Sequence, residues 1–129
     1  RLCEHCKEEY VPAQETIEKI KTAVANIPRN NTMRFPEKIE KLYRSKGCAR
    51  CNFLGYSGRV GIYEIFTMTP NIEKIILANT SIADMMSAAR KDGMITMEED
   101  GLLKALEGLT SLEEIRRVTG EIFTRKKVL

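Results

Sequence analysis

The sequence contains no tryptophan and a single histidine, His5, among its 129 residues. One histidine and scattered carboxylates provide no acid–base or nucleophilic constellation, so we expect no catalytic residue in this chain. No apolar run approaches the roughly 18 residues that can span a bilayer. No secretory signal is present either, so the sequence predicts a cytoplasmic protein.

A phosphate-binding loop is also missing. The Gly-x-x-x-x-Gly-Lys-[Ser/Thr] pattern that cradles nucleotide phosphates does not occur. Gly55, Gly58 and Gly61 recur every third residue, but neither Lys-Ser nor Lys-Thr follows them. A tight turn followed by close backbone packing accounts for these glycines better. We therefore expect this chain itself to be no enzyme and to bind no cofactor other than a metal.

Charges of one sign are not concentrated anywhere before the last residues. The chain carries 21 Lys and Arg against 18 Asp and Glu, a net charge of +3, and the two signs alternate along it. The basic cluster Arg125–Lys127 lies in a predicted tail. Nucleic-acid-binding proteins usually present a denser basic stripe, so we expect no nucleic-acid partner.

All four cysteines occur in two Cys-x-x-Cys pairs, Cys3/Cys6 and Cys48/Cys51. Two intervening residues let both sulfurs of a pair face one centre, in a turn called a knuckle. Two knuckles supply the tetrahedral thiolate set that zinc accepts. A closed shell of four sulfurs leaves no position for water or substrate, so we expect one structural Zn2+. The 41 residues between the pairs, 7–47, allow a helical insertion.

The cysteine pattern has other interpretations. Two disulfides or four free core thiols would use the same residues, although disulfides are disfavoured in a cytoplasmic protein. A rubredoxin-like iron centre has the same ligands, so the sequence alone leaves zinc and iron open. His5 lies inside the first knuckle and could replace a cysteine. We expect it instead to face solvent or donate to a sulfur.

Hydrophobic periodicity predicts an α+β, mostly α fold whose first part is a tetracysteine lobe over residues 1–68. This lobe contains a helix over 12–25 and a second helix over 36–45. A strand is predicted over 59–68, with apolar residues on both of its faces. A strand of that kind is usually covered on both sides.

Residues 69–121 are predicted to form a small helical bundle, followed by a tail over 122–129. Four residues have the chemistry of helix N-caps: Thr69, Ser81, Thr96 and Ser111, the last in a capping box with Glu114. The expected buried stripes are Ile72/Ile75/Ile76, Ile82/Met85/Met86/Ala89, Leu102/Leu103/Leu106 and Leu112/Ile115/Val118. The acidic run Glu98–Asp100 is expected to be a solvated helix start, which the helix dipole favours. Met85 and Met86 suit a soft binding face, but we expect core packing.

The order of these motifs resembles one family. Arg1-Leu-Cys-Glu-His-Cys6, Gly47-Cys-Ala-Arg-Cys51 and Gly55-Tyr-Ser-Gly-Arg-Val-Gly-Ile-Tyr-Glu64 are similar to the tetracysteine region of type II secretion and type IV pilus assembly ATPases. The later motifs resemble that family's helical C-terminal region: Gly93-Met, Asp100-Gly101, Lys104, Gly108-Leu-Thr110 and Glu113-Glu-Ile-Arg-Arg-Val-Thr119. The resemblance runs from residue 1 to about residue 121.

The resemblance implies that the chain is the C-terminal part of a hexameric cytoplasmic ATPase of the RecA type, in the secretion and pilus-extension branch. It implies three partners: the rest of the parent ATPase, neighbouring subunits of the hexamer and an inner-membrane platform protein. The parent would lie at the inner membrane as a peripheral protein. ATP and Mg2+ would bind only the parent, outside this chain.

Two questions stay open at this point. The alternative function is a free-standing, zinc-ribbon-like module that binds nucleic acid through Lys46, Arg50 and Arg59 near the second knuckle. Arg59 also belongs to the Gly-Arg-x-Gly motif. We expect it to bond locally or to neutralise the doubly negative zinc–thiolate centre. Its alternative role is an exposed cation that contacts a neighbouring subunit.

Overall fold

The computed structural model describes residues 1–120, which contain five α-helices and one two-stranded antiparallel sheet. The elements in chain order are β1 (Glu8–Tyr10), α1 (Gln14–Ala25), β2 (Leu42–Arg44), α2 (Pro70–Leu77), α3 (Ile82–Lys91), α4 (Met97–Leu106) and α5 (Leu112–Thr119). The predicted α+β, mostly α fold class is confirmed. The predicted tail over 122–129 and its basic cluster lie outside the described residues.

The last four helices begin where side-chain capping predicts. In each, a Ser or Thr hydroxyl accepts a hydrogen bond from the backbone N–H three residues later: Thr69, Ser81, Thr96 and Ser111. At α4 the Glu99 carboxylate also accepts the Thr96 N–H, which completes a capping box. At α5, where the sequence predicted a box, the Glu114 carboxylate pairs with Arg117.

One hydrophobic core joins the first part of the chain to the second. Its buried side chains come from α1, β2, α4, α5 and the adjoining loops: Ile20, Val24, Ile27, Leu42, Leu102, Leu103, Ala105, Leu112 and Ile115. The predicted helix over 12–25 is thus confirmed as α1. Because this core contains residues from both sides of residue 68, the predicted lobes bury apolar surface against each other. Their division at residues 68 and 69 stays a prediction about folding units.

Helices α2 and α3 form a second, smaller cluster. It consists of Ile72, Ala88, Ala89 and Met94, with Ile75, Met85 and Met86 packed against it. The two methionines therefore pack as core residues, as expected. Three side chains predicted to be buried are exposed instead, and that part of the prediction is wrong: Ile76, Ile82 and Val118. Ile76 and Ile82 lie on α2 and α3, and two short helices that pack on each other can cover only one face of each.

The predicted helix over 36–45 is wrong. Residues 36–41 form neither helix nor strand, and Leu42–Arg44 is strand β2. Strand β2 pairs antiparallel with β1 in the register Glu8↔Arg44, Glu9↔Tyr43 and Tyr10↔Leu42. This pairing buries Leu42 in the core. Tertiary pairing has overridden a local pattern that suits a helix.

The predicted strand over 59–68 does not form within residues 1–120, so that prediction is wrong for the described residues. These residues form no helix or strand, and their large apolar side chains are mostly exposed. The described residues offer no second strand alongside this segment. A period-two apolar pattern cannot become a ladder without a partner for its backbone groups.

Ile20→Ala tests whether the core unites the two parts. Ile20 is fully buried, so truncation should lower the free energy of unfolding by about 2–5 kcal/mol. Chemical denaturation measures this change in stability. Amide exchange of the folded variant should show that α1 and α4 both lose protection. Lys21→Ala, an exposed neighbour, should change stability by about 0.5 kcal/mol or less. Loss of protection in α1 alone would contradict a shared core.

Candidate metal centre

The first Cys-x-x-Cys pair lies in a tight turn that two other parts of the chain hold in place. Cys6 N–H donates to the Cys3 carbonyl at 3.2 Å. Leu2 N–H donates to the Leu109 carbonyl, and Cys3 N–H donates to the Gly55 carbonyl, both at 2.9 Å. The backbone before and within the pair is therefore anchored, which directs both sulfurs towards the second pair.

The second pair lies in a 3-10 turn, Ala49–Cys51, where two backbone N–H groups point at one sulfur. Cys48 N–H and Gly55 N–H each donate to Cys51 Sγ at 3.2 Å. Gly55 has φ +76°, and a Cβ at this position would collide with the Ser45 side chain. A side chain with a Cβ would therefore disturb the turn that aims these donors at the sulfur.

The four sulfurs lie at the separations of a tetrahedral thiolate site. Cys3 and Cys48 Sγ are 3.9 Å apart, and Cys51 Sγ is 3.8 Å from both Cys6 and Cys48 Sγ. All four lie within 4.8 Å of one another. Metal–sulfur bonds of about 2.3 Å in a tetrahedron give sulfur–sulfur edges of about 3.8 Å. The cysteines are free thiols rather than disulfides, and their arrangement fits one metal ion.

The β-ladder brings the two pairs together across the intervening 41 residues, 7–47. Strand β1 begins two residues after the first pair, and β2 ends four residues before the second. Two cations from the second strand and its exit, Arg44 and Lys46, pair with the Glu8 carboxylate. Sequence reasoning missed this ladder. The feature that could have predicted the ladder is the match between the acidic pair Glu8-Glu9 and the basic residues Lys41 and Arg44.

The surroundings of the sulfurs differ in their electrostatic effect. Burial raises the pKa of the Cys6 thiol to about 12, and the neighbouring thiols add to this effect. Burial also acts to raise the pKa of Cys51, but the N–H groups of Cys48 and Gly55, with adjacent thiols, outweigh it and lower the pKa to about 6. The two backbone N–H groups therefore favour the thiolate form of Cys51, whereas burial disfavours that of Cys6.

His5 lies at the surface, outside the sulfur cluster. Both of its ring nitrogens are 3.0 Å from Nη1 of Arg50. The group of potential metal ligands found in the described residues contains the four cysteines and no histidine. The arginine side chain instead brings the two knuckles into contact at the surface.

A partly buried ion pair joins Asp100 and Lys104 on α4. Asp100 is 3% exposed, and its Oδ2 accepts the Tyr63 N–H at 2.8 Å. Lys104 pairs with the same oxygen and donates to the Gly61 carbonyl at 2.8 Å. The prediction of a solvated helix start is therefore wrong at Asp100. The i,i+4 spacing of Asp100 and Lys104 was the available signal.

Arg59 is exposed and, among residues 1–120, forms no hydrogen bond or ion pair. Its expected local bond is thus missing from the described part of the chain. Arg59 lines a groove of about 530 Å³ between residues 54–62 and α5. The geometry favours the exposed-cation interpretation of this residue.

Among residues 1–120, none of the helices has the length and hydrophobicity of a membrane span. The profile of the family described as "Type II/IV secretion system protein" matches residues 1–117. The chain is 39% identical over 115 residues to the type IV pilus assembly ATPase PilB of Thermus thermophilus, covering 89% of this chain and 12% of the relative.

Two proteins of Pseudomonas aeruginosa extend the comparison. The type IV pilus assembly ATPase PilB is 40% identical over 119 residues, which is 92% of this chain and 19% of that protein. The type II secretion system protein E is 33% identical over 120 residues, which is 93% of this chain and 21% of that protein. The chain therefore spans less than a quarter of the length of these relatives. A match over residues 1–117 shows that the chain belongs to the type II/IV secretion system protein family.

Proposed function

We propose that this chain is the metal-binding accessory region of a longer secretion or pilus-assembly ATPase, and that Cys3, Cys6, Cys48 and Cys51 bind one structural zinc ion. The observation that carries the proposal is the tetrahedral spacing of these four sulfurs. The proposal of a longer parent protein is supported by the relatives, because the chain matches only 12% to 21% of the length of proteins named as pilus ATPases or secretion proteins.

A structural role follows from the donor set. Four thiolates complete the tetrahedral shell of zinc, so no coordination position is left for water or substrate. Three of the cysteines are buried and Cys48 is half-buried. When bound, the metal would link residues 3 and 6 to residues 48 and 51. It would also neutralise part of the thiolate charge that burial makes unfavourable.

We propose that ATP and Mg2+ bind the parent protein outside this chain, and that turnover of ATP belongs there. No phosphate-binding loop occurs in the sequence. We also propose that the chain contacts neighbouring subunits of a hexamer and an inner-membrane platform protein from the cytoplasmic side. Support for such contacts comes from the exposed Arg59 and from the exposed apolar side chains.

The nucleic-acid alternative gains little from the structure. Of its three candidate cations, Lys46 pairs with Glu8, and Arg50 lies against His5. Of these three side chains, only Arg59 has no partner among the described residues. A single free cation does not make the basic surface on which phosphate binding depends.

Metal analysis tests the zinc proposal. Protein purified without added metal should contain about one equivalent of zinc, and Cys51→Ser should lose most of it because a thiolate ligand is removed. The matched control is His5→Ala, which lies in the first knuckle but outside the sulfur cluster and should retain the metal. Iron in place of zinc, disulfide-bonded cysteines, or metal loss in His5→Ala would each contradict the proposal.

Chelation should loosen residues 1–68 before residues 69–120. Within the first part, the two knuckles and the β-ladder should exchange their amides first, since the metal holds their ends together. Helix α1 should follow more slowly because it shares a core with α4 and α5. The α2–α3 cluster contains no residue from the first part and should be affected least. A uniform loss of protection would show one folding unit and refute the division at residue 68.

Arg59→Ala in the full-length protein tests the role of the exposed cation. We expect unchanged thermal stability and weakened association of subunits, because the side chain has no local bond to lose in the described region. Arg34→Ala, at another exposed arginine, is the matched control and should leave association intact. Loss of folding in Arg59→Ala would instead indicate a local role.

A further inference from the structure

The segment 60–68 is rich in apolar side chains, several of which are exposed. Glu64 is its one charged residue. Tyr63 is 59% exposed, Ile65 70%, Phe66 37% and Met68 59%. Scattered exposed apolar side chains are ordinary on a protein surface, but a contiguous set usually marks an interface.

The backbone of this segment is almost entirely free of partners within residues 1–120. Its hydrogen bonds are two, the Tyr63 N–H to Asp100 and the Gly61 carbonyl from Lys104. From Glu64 to Met68, no N–H or C=O group bonds to a described residue. Such a stretch is free to pair with the edge of another sheet.

The side-chain pattern specifies what kind of sheet would accept the segment. In an extended chain, Val60, Ile62, Phe66 and Met68 share one face with Glu64, while Tyr63 and Ile65 lie on the other. Both faces therefore carry mainly apolar side chains. A strand of this kind is stable where layers of helices cover its sheet on both sides. The described sheet, with two strands of three residues each, provides no such layers.

The partly buried ion pair fixes where this segment begins. Asp100 and Lys104, both on α4, bond to the backbone of Tyr63 and Gly61 respectively. The first residues of the segment are thus tied to the folded body, and the residues after Tyr63 extend from a fixed point. A charged pair that bonds two backbone groups of a loop holds that part of the loop in one position, because charge-assisted hydrogen bonds are strong.

We propose that residues 60–68 are a β-strand that pairs with the edge of a sheet in the same polypeptide, in the part of the parent protein beyond these 129 residues. This inference rests on the proposed function, in which the chain belongs to a longer ATPase. Length argues for this occupant, because the matched relatives have at least four times as much chain as they share with this one. A permanent interface within one polypeptide is also expected to be apolar.

Amide exchange tests the inference on the unmodified full-length protein encoded by the source gene. Residues 64–68 should exchange on the order of a hundredfold more slowly there than in the 129-residue chain, because strand pairing protects their N–H groups. Equal and fast exchange in both proteins would overturn the proposal. Protection that appears only in the 129-residue chain and rises with its concentration would identify a second copy as the occupant, and would also overturn it.

Two substitutions and a matched control locate the contact. In the full-length protein, Ile65→Asp and Phe66→Asp place a charge on opposite faces of the strand. Each should speed exchange of residues 64–68 at least about tenfold. Val11→Asp, at an apolar residue 76% exposed outside the segment, should leave that exchange unchanged. An equal effect of all three would contradict a contact specific to this segment.

The inference and the proposed function fail in different ways. If the source gene encodes no longer chain with a nucleotide-binding part, the proposed function fails and the strand loses its stated partner. If the longer chain exists and hydrolyses ATP, but residues 64–68 exchange as in the 129-residue chain, the strand proposal alone is overturned.

Discussion

The meeting of four sulfurs across a 41-residue connection is the constraint on which the rest of this structure depends. Closing a loop of that length costs about 3 kcal/mol in chain entropy beyond a constant term. A ladder of three residue pairs and a few exposed ion pairs offset little of that cost. A structural zinc contributes roughly 10–16 kcal/mol in small finger domains. A metal at the proposed site would therefore make the paired arrangement of β1 and β2 stable.

The knuckles are tied directly to the helical region. Leu2 N–H bonds to the Leu109 carbonyl, and Lys7 Nζ donates to the Gly108 carbonyl at 3.2 Å. Next to the second knuckle, the Tyr56 hydroxyl lies 2.8 Å from Ser111 Oγ, the cap of α5. The loop between α4 and α5 therefore rests on the proposed metal centre. Changes in the centre should reach the shared core through this loop, while α2 and α3 pack in a separate cluster.

Local chemistry explains what the sequence could predict. Each Cys-x-x-Cys spacing identified two sulfurs that face one centre, because the two cysteines of a pair are near neighbours. Helix starts could be located for the same reason, since a hydroxyl cap bonds to a backbone N–H three residues away: Thr69, Ser81, Thr96 and Ser111. The errors occurred where a distant partner decides. Residues 42–44 became a strand because Glu8–Tyr10 lies beside them. Asp100 is buried because it accepts a hydrogen bond from the Tyr63 N–H and pairs with Lys104, which in turn donates to the Gly61 carbonyl. Segment 60–68 has the alternating apolar residues of a strand, but no strand lies beside it in the described residues. Its pattern therefore fits a strand that would form only with a partner from elsewhere.

X-ray absorption at the metal edge of the purified, unmodified protein tests the central claim most directly, because it reports the ligand atoms themselves. The account predicts zinc surrounded by four sulfurs at about 2.3 Å, with no nitrogen or oxygen in the first shell. A nitrogen or oxygen ligand would mean that His5, water or a carboxylate completes the site. The absence of any metal absorption edge would mean that the four sulfurs hold no ion. Either result would contradict a closed, structural four-cysteine zinc centre.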